Sequence, residues 1–363
     1  MIGAYLGYAR LAPARASSDL ALVPVEALRV LGWGTTLGVA ALALSTLVPL
    51  GRLGLRLRPR LRFAAGDTDV IVRIAAAGLA GLVMQQLSLL LINWAAKETG
   101  DQGALTRFSW ANAIYLLPFA VLVAPLLQMV FPRLSAAAEQ GSGAVGRVLS
   151  AIAPPVVVLA ALGASLLVAT AVPVARVFVL GPGSGRTEAL AWPIAAFAPA
   201  VVGFALLGLA SRTLLAQHLA RAAGLATVVA WGAVIVAVLV LRQVVPDAWV
   251  VPALAVSVSL GMLVGAVTGW VSVRRSQPED ASAGLGRPLA VAVPAALVAG
   301  LVVGWLSLSL ADAGLVRAAV GAFGCALGCT LLFLLLVGLV DRRLLRQVAE
   351  LRRRAVPASP VAP

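Results

Sequence analysis

The chain has 363 residues, 61% hydrophobic and 12% charged, far from the roughly one half and one quarter of soluble domains. That excludes a soluble globular fold and leaves an all-α polytopic integral membrane protein. The formal net charge of +14 would point to nucleic acid in a soluble chain. Here the basic residues lie in short loops between apolar runs, so membrane topology accounts for them and no nucleic-acid partner is called for.

In chain order, Met1–Leu11 reads as a half span running into a loop with Pro13, Ser17, Ser18 and Asp19. It lacks the charged head, clean apolar stretch and cleavage site of a signal peptide. A span needs about twenty mostly apolar residues. That measure predicts about nine transmembrane helices: Val30–Leu50, Val70–Ala95, Ala111–Phe131, Val148–Val172, Leu190–Leu209, Ala222–Leu241, Val250–Val271, Leu289–Leu310 and Leu315–Val340. Cys325 and Cys329, spaced i,i+4 among Gly321, Gly324 and Gly328, read as small helix-packing residues and not as a metal or disulfide pair.

Basic residues in short loops are retained on the cytoplasmic side. Arg52, Arg56, Arg58, Arg60 and Arg62 follow the first span, and Arg342, Arg343, Arg346, Arg352, Arg353 and Arg354 follow the last. Loops with Arg133 and Arg147, Arg212 and Arg221, and Arg274, Arg275 and Arg287 alternate with loops of mixed charge such as Lys97, Glu98 and Asp101. The C-terminus is therefore expected in the cytoplasm and the N-terminus outside. The basic segment 342–363 is expected to lie on anionic membrane lipid, at about 1 kcal/mol per arginine.

The third span is the most informative. Trp110–Ser135 carries Pro118, Pro125, Gln128 and Pro132 in an apolar run. Proline removes a backbone donor, which a membrane helix tolerates where neighbours or a water-lined cavity satisfy the freed carbonyl. A moving, cavity-lining helix is expected.

The same stretch, through Tyr115, Leu117-Pro118 and Pro132-Arg133-Leu134-Ser135, resembles the eighth helix of the MurJ/MviN lipid II flippases, a family within the multidrug, oligosaccharidyl-lipid and polysaccharide exporters. Leu31-Gly32-Trp33-Gly34-Thr35 with Leu57-Arg58-Pro59 resembles the family's sixth helix and following loop, and Ala210-Ser211-Arg212 with Ala216 a third segment. The resemblance runs from about Val30 to Val273 and implies helices 6–14 of that fold, an N-terminally truncated member. It divides the chain into a remnant of the first lobe (1–62), a second six-helix lobe (63–275), two further helices (276–341) and the basic tail (342–363). It implies a flippase for lipid-linked peptidoglycan precursor in the bacterial cytoplasmic membrane, inactive alone or working with a separate chain that supplies the first lobe. Membrane lipids and a polyprenyl-diphosphate-linked glycan are the implied partners, with no cofactor. A flippase for another polyprenyl-linked glycan and a non-transporting scaffold for cell-wall enzymes are the alternatives. With no P-loop, paired acidic motif or zinc spacing, the reading is of a transporter and not an enzyme.

A diphosphate entering low dielectric needs buried cationic partners, yet the family's Asp-Arg pair falls on Asn112 and Ala113. Arg107 lies six residues before Ala113, about 600° of helical rotation, and so off the same face; it is read either as an interfacial arginine or as a headgroup ligand. Arg73 either snorkels or lines the cavity. Gln85, Gln86, Ser88 and Asn93 fall near one face of the second span, as cavity lining or as interhelical glue worth about 0.6 kcal/mol each. Gln128 caps the carbonyl freed by Pro125 or touches substrate. Arg212 and His218 read as solvated residues at a helix end.

Overall fold

The computed structural model describes residues 2–11, 23–52, 67–99, 101, 103–179, 186–276 and 284–347. The loop arginines Arg56, Arg58, Arg60 and Arg62, the Leu57-Arg58-Pro59 motif, Arg352 to Arg354 and the side chain of Arg73 lie outside the described residues. The chain divides into two compact units, Met1–Asp67 and Thr68–Pro363. In the first, α1 (Ile2–Leu11) packs on α2 (Val25–Arg52). Tyr8 covers Val23 and Ala27 there.

Among its described residues the second unit is built of helices joined by short turns, with no strand. Its elements are α3 (Asp67–Lys97), α4 (Ala104–Pro118), α5 (Ala124–Glu139), α6 (Ser142–Val179), α7 (Glu188–Ala196), α8 (Ala198–Ala216), α9 (Ala220–Val244), α10 (Val250–Ser276), α11 (Gly286–Ser307) and α12 (Leu315–Val340). Among the described residues nine helical stretches are long and apolar enough to cross a membrane, and each overlaps one of the spans expected from the sequence. Two of them are broken helices: α4 with α5, and α7 with α8.

Helix α6 is the axis of this unit. Its 38 residues extend about 57 Å at 1.5 Å per residue, well beyond the roughly 30 Å of hydrocarbon. Within its apolar window 72% of residues are buried, because α5, α7, α8, α11 and α12 all pack on it. Small residues make this possible. Where lipid is as apolar as a side chain, helices associate by close packing, not by leaving water. A Cβ on Gly300 or Gly304 of α11 would meet backbone of α6, at 3.2 Å from the carbonyl oxygens of Ser165 and Val168 respectively. The same device joins α10 to its neighbours. A Cβ on Gly203 would lie 2.7 Å from the Met262 backbone, and one on Gly261 would lie 2.3 Å from Val234 Cγ2.

The α6 hydroxyls are satisfied within the helix, Ser165 donating to the Leu162 carbonyl and Thr170 to that of Leu166. Cys329 is fully buried in the core, with Cys325 half-buried beside it, and both thiols are free.

Candidate functional site

The third span breaks between its prolines. Pro118 has no N–H for the Ile114 carbonyl, and Pro125 has none for that of Val121. Between them the chain widens into one π turn, Phe119–Val123. The Phe119 amide donates to the Leu116 carbonyl and the Ala124 amide to that of Phe119. Such turns mark places where a helix has absorbed an irregularity, frequently at functional sites.

The two halves have different surroundings. Both halves pack on α6 and α8, and α4 packs on α7 and α10 as well. Around the break lies an aromatic ladder. Tyr115 stacks on Phe197 at 4.6 Å with the rings 6° from parallel, Phe108 meets the same ring at 5.7 Å, and Phe119 meets Phe204 at 4.5 Å. Gly163 of α6 admits the bend: a Cβ there would sit 3.0 Å from Pro118 Cβ and 3.3 Å from Val201 Cγ1.

Phe197, at the centre of the ladder, is itself the break between α7 and α8. The Ala200 amide turns back to the Phe197 carbonyl, and the Ala196 carbonyl takes the Ser259 hydroxyl of α10 at 2.8 Å. Two broken spans thus meet along the aromatic ladder. The single span expected at Leu190–Leu209 falls within one candidate span, Glu188–Ala216, broken at Phe197. Pro193 and Pro199 were the available signal, but the role of Ser259 depends on a register that no local pattern encodes.

The sequence-expected residues fall in several places. On α3, Ser88 is buried and spans to α9, its hydroxyl 2.8 Å from the Met84 carbonyl and 3.1 Å from that of Trp231. Gln85 and Asn93 are half-buried and Gln86 is exposed. On α4, Asn112 is half-buried and Ala113 exposed. Gln128 is exposed on α5 and makes no hydrogen bond to a freed carbonyl among the described residues. The π turn, not an amide cap, absorbs the break.

Arg107 is 13% exposed and ion-pairs with Asp101, whose other oxygen accepts the Gly103 amide at 2.9 Å. Partial burial pushes the Asp101 carboxyl up, but the Gly103 amide and the Arg107 guanidinium outweigh it and leave its pKa below the ordinary carboxylate value. The Asp101 turn folds back on α4, which is why Arg107 is held at the helix end.

At the end of the unit where α3 and α6 finish, other arginines also find acceptors. Arg242 pairs with Asp247 at 3.1 Å, Arg186 with Glu188 at 3.1 Å, and Arg176 donates to the Ala313 carbonyl. At the opposite end Arg133, Arg147, Arg221, Arg274 and Arg275 have no acceptor among the described residues. There Arg287 pairs with the buried Asp341 at 2.6 Å, tying α11 to the end of α12.

That opposite end also holds a cavity of about 430 Å³ lined by Ser135, Glu139, Gln217, His218 and Ser276. His218 has φ +61°, the left-handed turn that closes α8, and Gln217 Nε2 is buried without an acceptor among the described residues. Neither feature is readable from local sequence.

The family model described as lipid II flippase MurJ matches residues 2–321. No curated protein matches the chain. Among solved structures the chain is similar to a lipid II flippase MurJ in an inward closed conformation, with a TM-score of 0.55 and 14% identity. That similarity covers 73% of this chain and 53% of the solved one, so the chain spans about half the length of that structure. With most of its length matched by the family model, this chain belongs to the lipid II flippase MurJ family.

Proposed function

We propose that this chain carries lipid II, the lipid-linked precursor of peptidoglycan, across the bacterial cytoplasmic membrane as a transporter and not as an enzyme. The reading rests on family membership, and one observation carries it: the third span is broken at Pro118–Val123, with its first half packed on α7 and α10 in addition to the α6 and α8 that both halves share. Such a span bends at the break while α6 stays fixed, which is what alternating exposure of a cavity needs.

In this reading residues 63–275 form the second six-helix lobe, 276–341 the two additional helices and 342–363 a basic cytoplasmic tail. Gln85, Gln86, Asn93, Asn112 and Gln128 are the cavity-facing candidates. Arg73 and Arg107 hold the membrane boundaries, and Ser88 fastens α3 to α9. The end that holds Arg107, Arg186 and Arg242 is exterior and the end that holds Arg133, Arg147, Arg221, Arg274 and Arg275 is cytoplasmic, as the inward retention of basic loops requires. A separate chain then completes the cavity, or this chain works alone.

The test is depletion of the resident flippase in cells expressing this chain as written. Growth is expected, and Pro118→Ala, which restores the missing donor, is expected to reduce it. Failure to grow with normal membrane insertion would remove autonomous transport and leave the partnered form. Cysteine labelling at Ala311 and at Arg274 reads the orientation independently, with only the first labelled from outside.

A further inference from the structure

We infer that the trough between α3 and α9 binds a phospholipid with an anionic headgroup, seated on Arg221. The trough has a volume of about 570 Å³ and is lined by Val72, Ala76, Ala80, Leu225 and Val228, with Arg221 as its charged member. That size falls within the roughly 300–1,000 Å³ of small-molecule sites. From Val72 to Ala80 it runs about 12 Å along α3, the length of a glycerol backbone and the upper part of its acyl chains.

Its shape follows from the helix contact beneath it. Gly224 lies so close to α3 that a Cβ there would be 2.7 Å from Ala77 Cβ, and one on Gly81 would be 3.0 Å from Thr227 Cγ2. The backbones therefore touch along one line. Beside that line Ala76 and Ala80 are too short to fill the space between Val72 and Leu225, and both are exposed.

Charge selects the occupant. Arg221 is exposed in the first turn of α9 and has no acceptor among the described residues, and no carboxylate among those residues lines the trough. Arg107, Arg186 and Arg242 at the other end each have a carboxylate of this chain. A cation at the mouth of an apolar trough fits an amphiphile with an anionic head. The inference does not depend on transport activity, so loss of flipping leaves it standing.

The test uses the full chain purified in detergent and mixed with phosphatidylglycerol or phosphatidylcholine, with retained lipid read by native mass spectrometry. Wild-type protein is expected to retain phosphatidylglycerol over phosphatidylcholine about fivefold, the equivalent of one arginine at a membrane surface. Arg221→Gln is expected to abolish the preference and Arg221→Lys to keep it. Ala80→Leu, which fills the trough, is expected to lower retention of phosphatidylglycerol, while Arg317→Gln at the opposite end leaves it unchanged. Equal retention of the two lipids by wild-type protein, or an undiminished preference in Arg221→Gln, overturns the inference. Displacement of phosphatidylglycerol by polyprenyl diphosphate at a lower mole fraction also overturns it, by giving the trough to the transported lipid. Should Arg221→Gln fail to fold, Ala80→Leu and the Lys variant still decide.

Discussion

The seam around α10 and the seam between α3 and α9 use the same device, small residues that let backbones touch, and end differently. Gly203, Gly261 and Gly265 are buried between α8, α9 and α10, and a Cβ on any of them would come within 3.0 Å of a neighbouring helix. Gly224 and Gly81 make equally close contacts, but exposed residues flank their line and a trough opens beside it. Close approach therefore does not by itself define a core. What matters is whether a third helix closes the seam.

Gly261→Ala is the sharpest way to break this comparison, because its Cβ meets Val234 and the Ala230 carbonyl with no room to retreat. A loss of about 1–3 kcal/mol is expected, read as a lower midpoint in a denaturing-detergent titration. Arg287→Gln comes next. It leaves the Asp341 carboxylate, 5% exposed, with only the Arg343 amide as donor among the described residues. The expected loss of about 1–3 kcal/mol falls at the low end because water reaches the exposed Arg287 side, and cross-linking between α11 and α12 reports the loosening.

Gly224→Ala tests the open seam directly. Its Cβ clashes with Ala77, but α3 has a free flank to tilt toward, so about 0.5–1 kcal/mol is expected. A loss equal to that of Gly261→Ala would remove the distinction between the two seams. The smallest effect belongs to the Asp101 turn, a partly exposed ion pair of the kind worth at most about 1 kcal/mol. A carboxyl held below its ordinary pKa stabilises the turn above the ordinary carboxylate range and loses that contribution as pH falls through its own value. Exchange of the Gly103 amide, corrected for intrinsic rates, should therefore stay protected at neutral pH and become unprotected in strong acid. Asp101→Asn should weaken that protection and flatten its pH dependence.

These cases also indicate how far sequence reaches. The nine spans were legible because membrane crossing demands some twenty apolar residues in a row, a condition local enough to count. Pro118 and Pro125 announced a break, yet its form as a π turn emerges only when Gly163 and the Phe197 ring set how the halves lie. Ser88 could be placed on a face of α3, but whether that face met a cavity or the Trp231 carbonyl depended on the register of α9. For Arg107 the spacing argument removed it from the expected position without revealing Asp101, because a turn reverses the chain between them.

Helix α6 bears on how the protein comes to be assembled. Synthesis proceeds from the N-terminus, so α6 enters the bilayer before α8, α11 and α12, which later cover it. Until they arrive its surface is solvated by lipid. Ser165 and Thr170 bond within their own helix, and residues 156–172 are otherwise alanine, valine, leucine and glycine, so over that stretch waiting leaves no side-chain polar group unpaired in hydrocarbon. The helix that ends as the axis of the unit is one that can stand alone in the membrane until its neighbours are made.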